Sequence, residues 1–234
     1  MKNWKMTWAF LAVALFMLGA CSTQAEDIEI ASNDVDISSA AYDTPSPAAT
    51  ADSSEDPAYS YREMNDAGFN IPAVDVAKMN PDHIRREVDF ETTEPPGTIV
   101  VDQRARFLYY VRPGGKAIRY AVGVGPMSRS FHGTATIALK RKWPRWVPTA
   151  NMIRRSPEHY GRFRDGVDGG PGNPLGARAL YIYKDGQDTY YRVHGTNAPS
   201  SIGKAVSAGC IRLLAQDIID LYDRVSTGSR IVVQ

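Results

Sequence analysis

The sequence contains 234 residues, which is enough for one globular domain of ordinary size with attached segments and too short for two comfortable domains. Hydrophobic residues make up 43% of the chain and charged residues 23%, so the composition excludes both a chain that is disordered throughout and a membrane protein with many spans. The net charge is only +1, but it is distributed unevenly. We therefore expect one folded domain preceded by segments of different composition.

The N-terminus, residues 1–20, has the pattern of a secretory signal. Two lysines precede an apolar run from Trp8 to Leu18, which is shorter than the roughly 20 residues that a transmembrane helix needs. The sequence Leu18-Gly19-Ala20-Cys21 that follows resembles the lipobox of bacterial lipoproteins. An ordinary cleaved signal followed by a chance cysteine is the alternative.

The lipobox resemblance implies that residues 1–20 form a lipoprotein signal peptide and that Cys21 carries the lipid after cleavage. The protein would then be held at a membrane of the cell envelope by its lipid anchor. Ser22 stands where diderm bacteria use an aspartate to retain lipoproteins in the inner membrane. The implied location is therefore the outer membrane, facing the periplasm.

Residues 22–61 contain no Lys or Arg and nine Asp or Glu, and Ser, Ala, Thr and Pro supply most of the rest. Such a segment cannot bury enough apolar surface to offset the entropy lost when it becomes ordered. We therefore interpret residues 21–61 as the lipid anchor and a disordered acidic tether.

The remainder of the chain is basic. Residues 1–21 contribute +2 and residues 22–61 contribute −9 to the total of +1, which leaves +8 for residues 62–234. A basic domain outside the cytoplasm suits an acidic polymer, such as a cell wall with free carboxylates. The export signal argues against nucleic acid as a partner.

Residues 62–96 contain four prolines and no clear periodicity, so we interpret them as a lead-in segment that packs on the domain. From residue 97 onward, short β-like runs alternate with turn residues, which predicts a mainly antiparallel β domain over residues 97–234. The predicted strands are Thr98–Asp102, Arg106–Val111, Ile118–Val124, Gly133–Leu139, Ala179–Lys184, Tyr190–His194 and Arg230–Val233.

One helix and one long insertion are predicted within this domain. Apolar residues after residue 213 recur at the spacing of a single helical face, and Gly228 marks the end of that pattern. Residues 142–175 are rich in Pro, Gly, Trp and Arg, which predicts a loop insertion over one side of the site. The residues of the helical face are Leu214, Ile218, Leu221, Tyr222 and Val225.

The chain has two cysteines, Cys21 and Cys210. A lipid on Cys21 would prevent a disulfide between them. An unpaired cysteine in an exported protein forms either an intermolecular bridge or a reactive thiol, so Cys210 is a candidate nucleophile. A buried, inert cysteine is the commoner case and is the alternative.

The candidate nucleophile has a histidine nearby in the sequence. His194 ends a predicted strand, and Cys210 follows sixteen residues later, just ahead of the predicted helix. An imidazole or a helix N-terminus can lower the pKa of a thiol, so we expect one or both to act on Cys210. Gly209 allows a tight turn, and the amides around Ala208 could stabilise a developing oxyanion.

His194-Gly195-Thr196 and Ser207-Ala208-Gly209-Cys210-Ile211-Arg212 together resemble the signature of the YkuD-like L,D-transpeptidase catalytic domain. The resemblance implies a mainly β fold, a β-sandwich with one principal helix after the catalytic cysteine. It implies that Cys210 is the acylated nucleophile and that His194 accepts and donates the proton. The residues expected to bind substrate or form the oxyanion site are Arg212, Ser207, Gly209, Ala208, Gly195 and Thr196.

Many members of the family have a histidine where this chain has Ala208, so His194 is the only histidine within the motif. The group that orients the His194 ring is not assigned from the sequence. The resemblance implies acyl transfer on peptidoglycan stem peptides without a cofactor, giving 3→3 crosslinks or attaching a lipoprotein or amino acid to the wall. The other histidines lack the spacing of metal ligands, so no metal is expected. A cysteine-dependent peptidoglycan amidase or endopeptidase and a non-catalytic wall-binding lipoprotein are the alternatives.

Overall fold

The structure is a computed structural model in which residues 56–125, 131–205 and 209–234 are described. The predictions for the signal peptide, for Cys21 and for the tether up to residue 55 lie outside these residues. The described residues contain four α-helices: α1 Pro57–Ser60, α2 Ala150–Arg155, α3 Pro157–Tyr160 and α4 Ala215–Arg224. The strands are β1 Met64–Asp66, β2 Phe69–Ile71, β3 Arg86–Asp89, β4 Ile99–Asp102, β5 Phe107–Arg112, β6 Lys116–Ala121, β7 Gly133–Lys142, β8 Arg178–Lys184, β9 Gln187–His194, β10 Ile211–Arg212 and β11 Arg230–Val233.

Nine of these strands form one sheet in the order β10-β9-β8-β7-β11-β4-β5-β6-β3, and β1 and β2 form a separate hairpin. Within the large sheet, β10 runs parallel to β9 and β11 runs parallel to β4. The remaining pairs are antiparallel. Gly123, just beyond β6, exchanges two backbone hydrogen bonds of 2.9 and 2.8 Å with Arg212 of β10. The sheet therefore curls until the chain just beyond β6 pairs with β10 at the opposite edge, and the predicted mainly β fold is confirmed.

The curled sheet surrounds one apolar core. Residues of the strands from β4 onward point inward, and α4 adds Ile218 and Leu221, which are both fully buried. The predicted helix is therefore present, and its predicted apolar face packs against the sheet. The strand residues that anchor this core include Ile99, Val101, Leu108, Ile137, Leu180, Val193, Ile211 and Ile231.

Every predicted strand is present, but the segment before residue 97 contains strands that the sequence analysis did not place. Strand β3 pairs with β6 and forms one edge of the large sheet. The β1–β2 hairpin turns through Ala67 and Gly68, which both have positive φ. These strands are short and mostly half-exposed, so their sequences lack the apolar alternation that identifies longer strands.

Residues 56–61, which the sequence analysis assigned to the disordered tether, are folded. Helix α1 starts at Pro57 with its N-terminus capped by the Asp56 side chain. Tyr61 is fully buried, its hydroxyl donates to Asp217 of α4 over 2.9 Å, and it accepts the Arg85 N–H over 2.8 Å. The prediction was wrong here because one aromatic side chain with two distant partners orders a segment whose composition is otherwise polar.

Within the described residues, no helix is both long and apolar enough to cross a membrane.

Candidate active site

His194 is the last residue of β9 and is held by strands on both sides. On one side it lies opposite Ala179 of β8, and on the other side it lies opposite Arg212 of β10. Its carbonyl accepts the N–H of Leu213 over 2.9 Å. The side chain is 4% exposed, so its position is set by packing as well as by the sheet.

Cys210 immediately precedes β10, whose register with β9 places Ile211 opposite Val193. Both of these apolar side chains point into the core. Because side chains alternate along a strand, Cys210 and His194 lie on the opposite face. The backbone N–H of Arg192 hydrogen-bonds the thiol, which places Cys210 beside the strand that carries His194.

The imidazole of His194 is oriented by the backbone. Its Nδ1 lies 2.6 Å from the Gly195 carbonyl, and the carbonyl of Leu175 also hydrogen-bonds the ring. Burial, followed by the nearby cation of Arg212, lowers the pKa of His194 to about 3 against the opposing effect of the two carbonyls. The ring is therefore neutral at physiological pH and can accept a proton.

The pKa of the Cys210 thiol is raised, not lowered as the sequence analysis expected. Burial is the main cause and exceeds the opposing effects of the Arg192 amide and the Arg192 and Arg212 cations. Helix α4 begins only at Ala215, after β10, so its N-terminus does not follow the thiol directly. The resting site therefore holds a neutral thiol and a neutral imidazole.

The backbone around Gly195 has no spare room. A Cβ built on Gly195 would lie 3.1 Å from the Ala177 nitrogen, and one on Gly176 would lie 2.8 Å from the Thr196 nitrogen. Gly176 also has a φ of +62°, a conformation that favours glycine. The chain just before β8 therefore presses directly against the corner that follows His194.

The predicted insertion, residues 142–175, folds into α2, α3 and a 3₁₀ turn between β7 and β8. Its C-terminal end reaches the site, because the Leu175 carbonyl contacts the His194 ring and the Gly172 carbonyl accepts the Asn197 amide over 3.0 Å. Trp146 packs with Tyr160 and Phe163 inside the insertion itself. Trp146 and Tyr160 are half-buried, and their aromatic contacts are with other residues of the insertion.

The remaining candidate residues differ in what the structure shows of them. Ser207 and Ala208 lie outside the described residues. Gly209 is buried and has a φ of +135°, as expected of a tight turn that only glycine adopts readily. Thr196 is buried, and its hydroxyl accepts the Ala198 N–H over 3.0 Å, so it shapes the loop after His194.

Arg212 is half-buried in β10 and faces the same side as His194 and Cys210. Within the described residues it forms no salt bridge with an acid, whereas Arg178 and Arg192 both do. Its charge acts on both the imidazole and the thiol. Arg212 is therefore positioned to attract an anionic group brought to this site.

Three contributors to the site were not found from the sequence: the amide of Arg192, the carbonyl of Leu175 and the close contact at Gly176. All three act through the backbone, so the types of Arg192 and Leu175 gave no signal. Gly176 is the exception, because a glycine there is required by the close contact and the positive φ. Among the described residues, no group of three or more His, Cys, Asp or Glu could hold a metal ion.

Residues 96–233 match the family described as the L,D-transpeptidase catalytic domain, YkuD. The match covers more than half of the chain, and the chain belongs to this family.

Among curated relatives, the probable L,D-transpeptidase ErfK/SrfK of Escherichia coli (strain K12) is 36% identical over 138 residues, 58% of this chain and 43% of that protein. The probable L,D-transpeptidase YbiS of the same strain is 31% identical over 151 residues, 64% of this chain and 48% of that protein. The chain thus spans about half the length of these relatives. A solved structure described as a probable carnitine operon oxidoreductase from Brucella melitensis is 49% identical and covers 68% of this chain and 99% of its own, with a TM-score of 0.46, too low to bear on fold or function.

Proposed function

We propose that the protein is an L,D-transpeptidase that acts on peptidoglycan stem peptides by acyl transfer through Cys210. Family membership supports the reaction class. The observation that carries the assignment of residues is the pairing of β9 with β10, which brings Cys210, His194 and Arg212 to one face of the sheet. A nucleophile, a neutral base and an unpaired cation are the groups that this reaction needs.

In the proposed reaction the Cys210 sulfur attacks the carbonyl between the L-centre of the third stem residue and the terminal D-alanine. His194 takes the thiol proton as the C–S bond forms, because the thiol is neutral at rest. The imidazolium then gives that proton to the leaving D-alanine nitrogen as the C–N bond breaks, which leaves a thioester. Its low pKa makes the imidazolium a strong acid for this step.

An amine completes the cycle. It attacks the thioester, loses a proton to His194, and the proton returns to the departing sulfur of Cys210. An amine of a neighbouring stem gives a 3→3 crosslink, an amine of a lipoprotein gives an anchored protein, an amino acid gives an exchanged stem, and water gives a trimmed stem.

The proposal is tested by mass spectrometry of purified tetrapeptide muropeptides after incubation with the protein. We expect release of D-alanine and a product heavier than either stem, or an exchanged terminal residue when a free D-amino acid is supplied. An amidase or endopeptidase would yield smaller fragments without release of the terminal D-alanine. A wall-binding lipoprotein would leave the muropeptides unchanged.

Arg212 is proposed to bind a carboxylate of the stem peptide. Arg212→Gln should lower kcat/KM for the tetrapeptide by about 10- to 100-fold, mainly through KM, because a hydrogen bond to a charged group is lost. Arg212→Lys keeps the charge, so its kcat/KM should lie between those of the wild type and Arg212→Gln. Steady-state kinetics measure this effect, with Arg86→Gln as the matched exposed control; an unchanged KM in Arg212→Gln would remove this residue from the binding site.

Lipid anchoring through Cys21 is proposed from the lipobox resemblance, together with the cell envelope as the place of action. Cys21→Ser should move the protein from the membrane fraction to the soluble periplasmic fraction, because no acyl chain can be attached. Cell fractionation with immunoblotting measures the distribution. Retention of Cys21→Ser in the membrane at the wild-type level would contradict the anchor.

A further inference from the structure

The β1–β2 hairpin lies before the part of the chain that matches the family, yet it carries a charged contact to the inside of the domain. Asp66 accepts two hydrogen bonds from Arg178 of β8, at 2.6 Å from Nη1 and 2.8 Å from Nη2. Its Oδ2 also accepts the Trp143 indole N–H over 2.7 Å. The Asp66 carboxylate thus holds two side chains of the domain at once.

Arg178 is buried, with 2% of its surface exposed, and its Nε has no hydrogen-bond partner within the described residues. Asp66 is its only salt-bridge partner in that part of the chain. A buried guanidinium that lost this carboxylate would be left with an uncompensated charge, so it would have to move toward solvent or draw in water. The side-chain hydrogen bonds from Arg178 keep the pKa of Asp66 below its usual range, so the pair stays ionised at neutral pH.

The backbone of Arg178 is part of the candidate active site. Its carbonyl accepts the Gly195 N–H over 3.0 Å, and the carbonyl of Gly195 lies 2.6 Å from Nδ1 of His194. Gly195 thus contacts the Arg178 backbone through its N–H and the His194 ring through its carbonyl. The close contacts of Gly195 with Gly176 and Ala177 leave little room to absorb a shift of this strand end.

The hairpin also packs on this strand end through apolar contacts. Ile71 of β2 forms a buried cluster with Ala177 and Ile219, and Phe69 lies 4.6 Å from the Trp143 ring between centroids. The hairpin is thus seated by apolar contacts, and the Asp66 carboxylate makes the directional contact to Arg178.

We propose that Asp66 is a positioning residue for His194, acting through Arg178 and the Gly195 peptide. This inference rests on the proposed function in taking His194 as the base. Asp66 itself does not touch the reacting groups. Its effect would be on the angle and tautomer of the imidazole. Small displacements of a catalytic group have large effects on the reaction rate.

The test compares Asp66→Asn with Glu94→Gln. Glu94 also precedes the family match and forms a bidentate pair with Arg230, at 2.6 Å from Nε, but Arg230 lies on β11, three strands away from β9. Both variants remove one carboxylate that joins the N-terminal segment to the sheet. Only Asp66→Asn removes a contact to β8, the strand that pairs with the end of β9.

The first measurement is the ¹⁵N spectrum of the His194 ring in the purified full-length protein, assigned with His194→Ala. We expect the ring signals of Asp66→Asn to shift or to report a mixture of tautomers, those of Asp66→Glu to return toward wild type, and those of Glu94→Gln to be unchanged. The second measurement is kinetic: kcat of Asp66→Asn should fall by about 10- to 100-fold with KM within about twofold, since substrate contacts are untouched.

Wild-type ring signals and wild-type kcat in Asp66→Asn would overturn the inference, and so would equal changes in Glu94→Gln. If Asp66→Asn does not fold, Trp143→Phe is the second variant. It removes the indole N–H that donates to both the carboxylate and the carbonyl of Asp66, and it leaves the ion pair with Arg178, so a smaller shift of the ring signals is expected. The ring spectrum needs no turnover. Shifted signals in a protein that leaves stem peptides unchanged would support the positioning and overturn the proposed function, so the two failures are distinguishable.

Discussion

Cys210→Ala will form no thioester and no transfer product at any pH, with a loss in rate on the order of 10⁴-fold or more. The reason is that the covalent route depends on one sulfur, and no other cysteine lies in the described residues. Muropeptide mass spectrometry measures the products. Cys210→Ser serves as the isosteric variant, because its hydroxyl keeps a donor at the same place but is a far weaker nucleophile.

Both variants should keep the wild-type melting temperature, since Cys210 precedes the short edge strand β10 and is not part of the apolar core. A Cys210→Ala protein that is folded and still crosslinks at a rate comparable to wild type would show that the nucleophile lies elsewhere. The hypothesis of a non-catalytic wall-binding lipoprotein would be favoured if Cys210→Ala still bound peptidoglycan and the wild type had no transfer activity.

His194→Ala will slow acyl transfer by about 10²- to 10⁴-fold, the usual loss when a general base is removed. The thiol of this variant can still ionise at alkaline pH, so its alkylation by iodoacetamide should approach the wild-type rate there while transfer stays slow. The resolving amine still needs its proton removed. His159→Ala is the matched control, because His159 is exposed in α3.

The pKa directions add a pH dependence that separates two mechanisms. A preformed thiolate–imidazolium pair would give fast alkylation well below neutral pH. Here the thiol pKa is raised and the imidazole pKa is lowered to about 3, so wild-type alkylation should rise steadily from neutral to alkaline pH. Because the neutral ring is the base, stem-peptide acylation should not lose a proton acceptor between about pH 7 and pH 5. A wild-type alkylation rate that stays fast below neutral pH would contradict a neutral thiol on Cys210 and a neutral ring on His194.

Much of the fold was predictable because its signals are local. The longer strands alternate apolar and polar residues, and the face built on Ile218 and Leu221 identifies α4 by its spacing alone. His194 and Cys210 were also predicted as site residues from the sequence, because the two short segments that contain them resemble the signature of the family.

The parts that sequence did not reveal depend on contacts between distant residues. Asp66 and Arg178 lie 112 positions apart, and neither carries a pattern that names the other. Burial of the thiol likewise follows from the packing around β10 and not from its neighbours in the chain. The expectation of a lowered thiol pKa was wrong for that reason, because a nearby histidine was counted and desolvation was not.

The most direct test of the account is intact-mass spectrometry of the purified protein mixed with a tetrapeptide stem and quenched in acid, followed by peptide mapping. We predict a mass increase equal to the stem peptide less one D-alanine, located on Cys210, absent in Cys210→Ala and formed much more slowly in His194→Ala. An adduct on any other residue, or crosslinked product formed by a protein that never carries an adduct on Cys210, would contradict it.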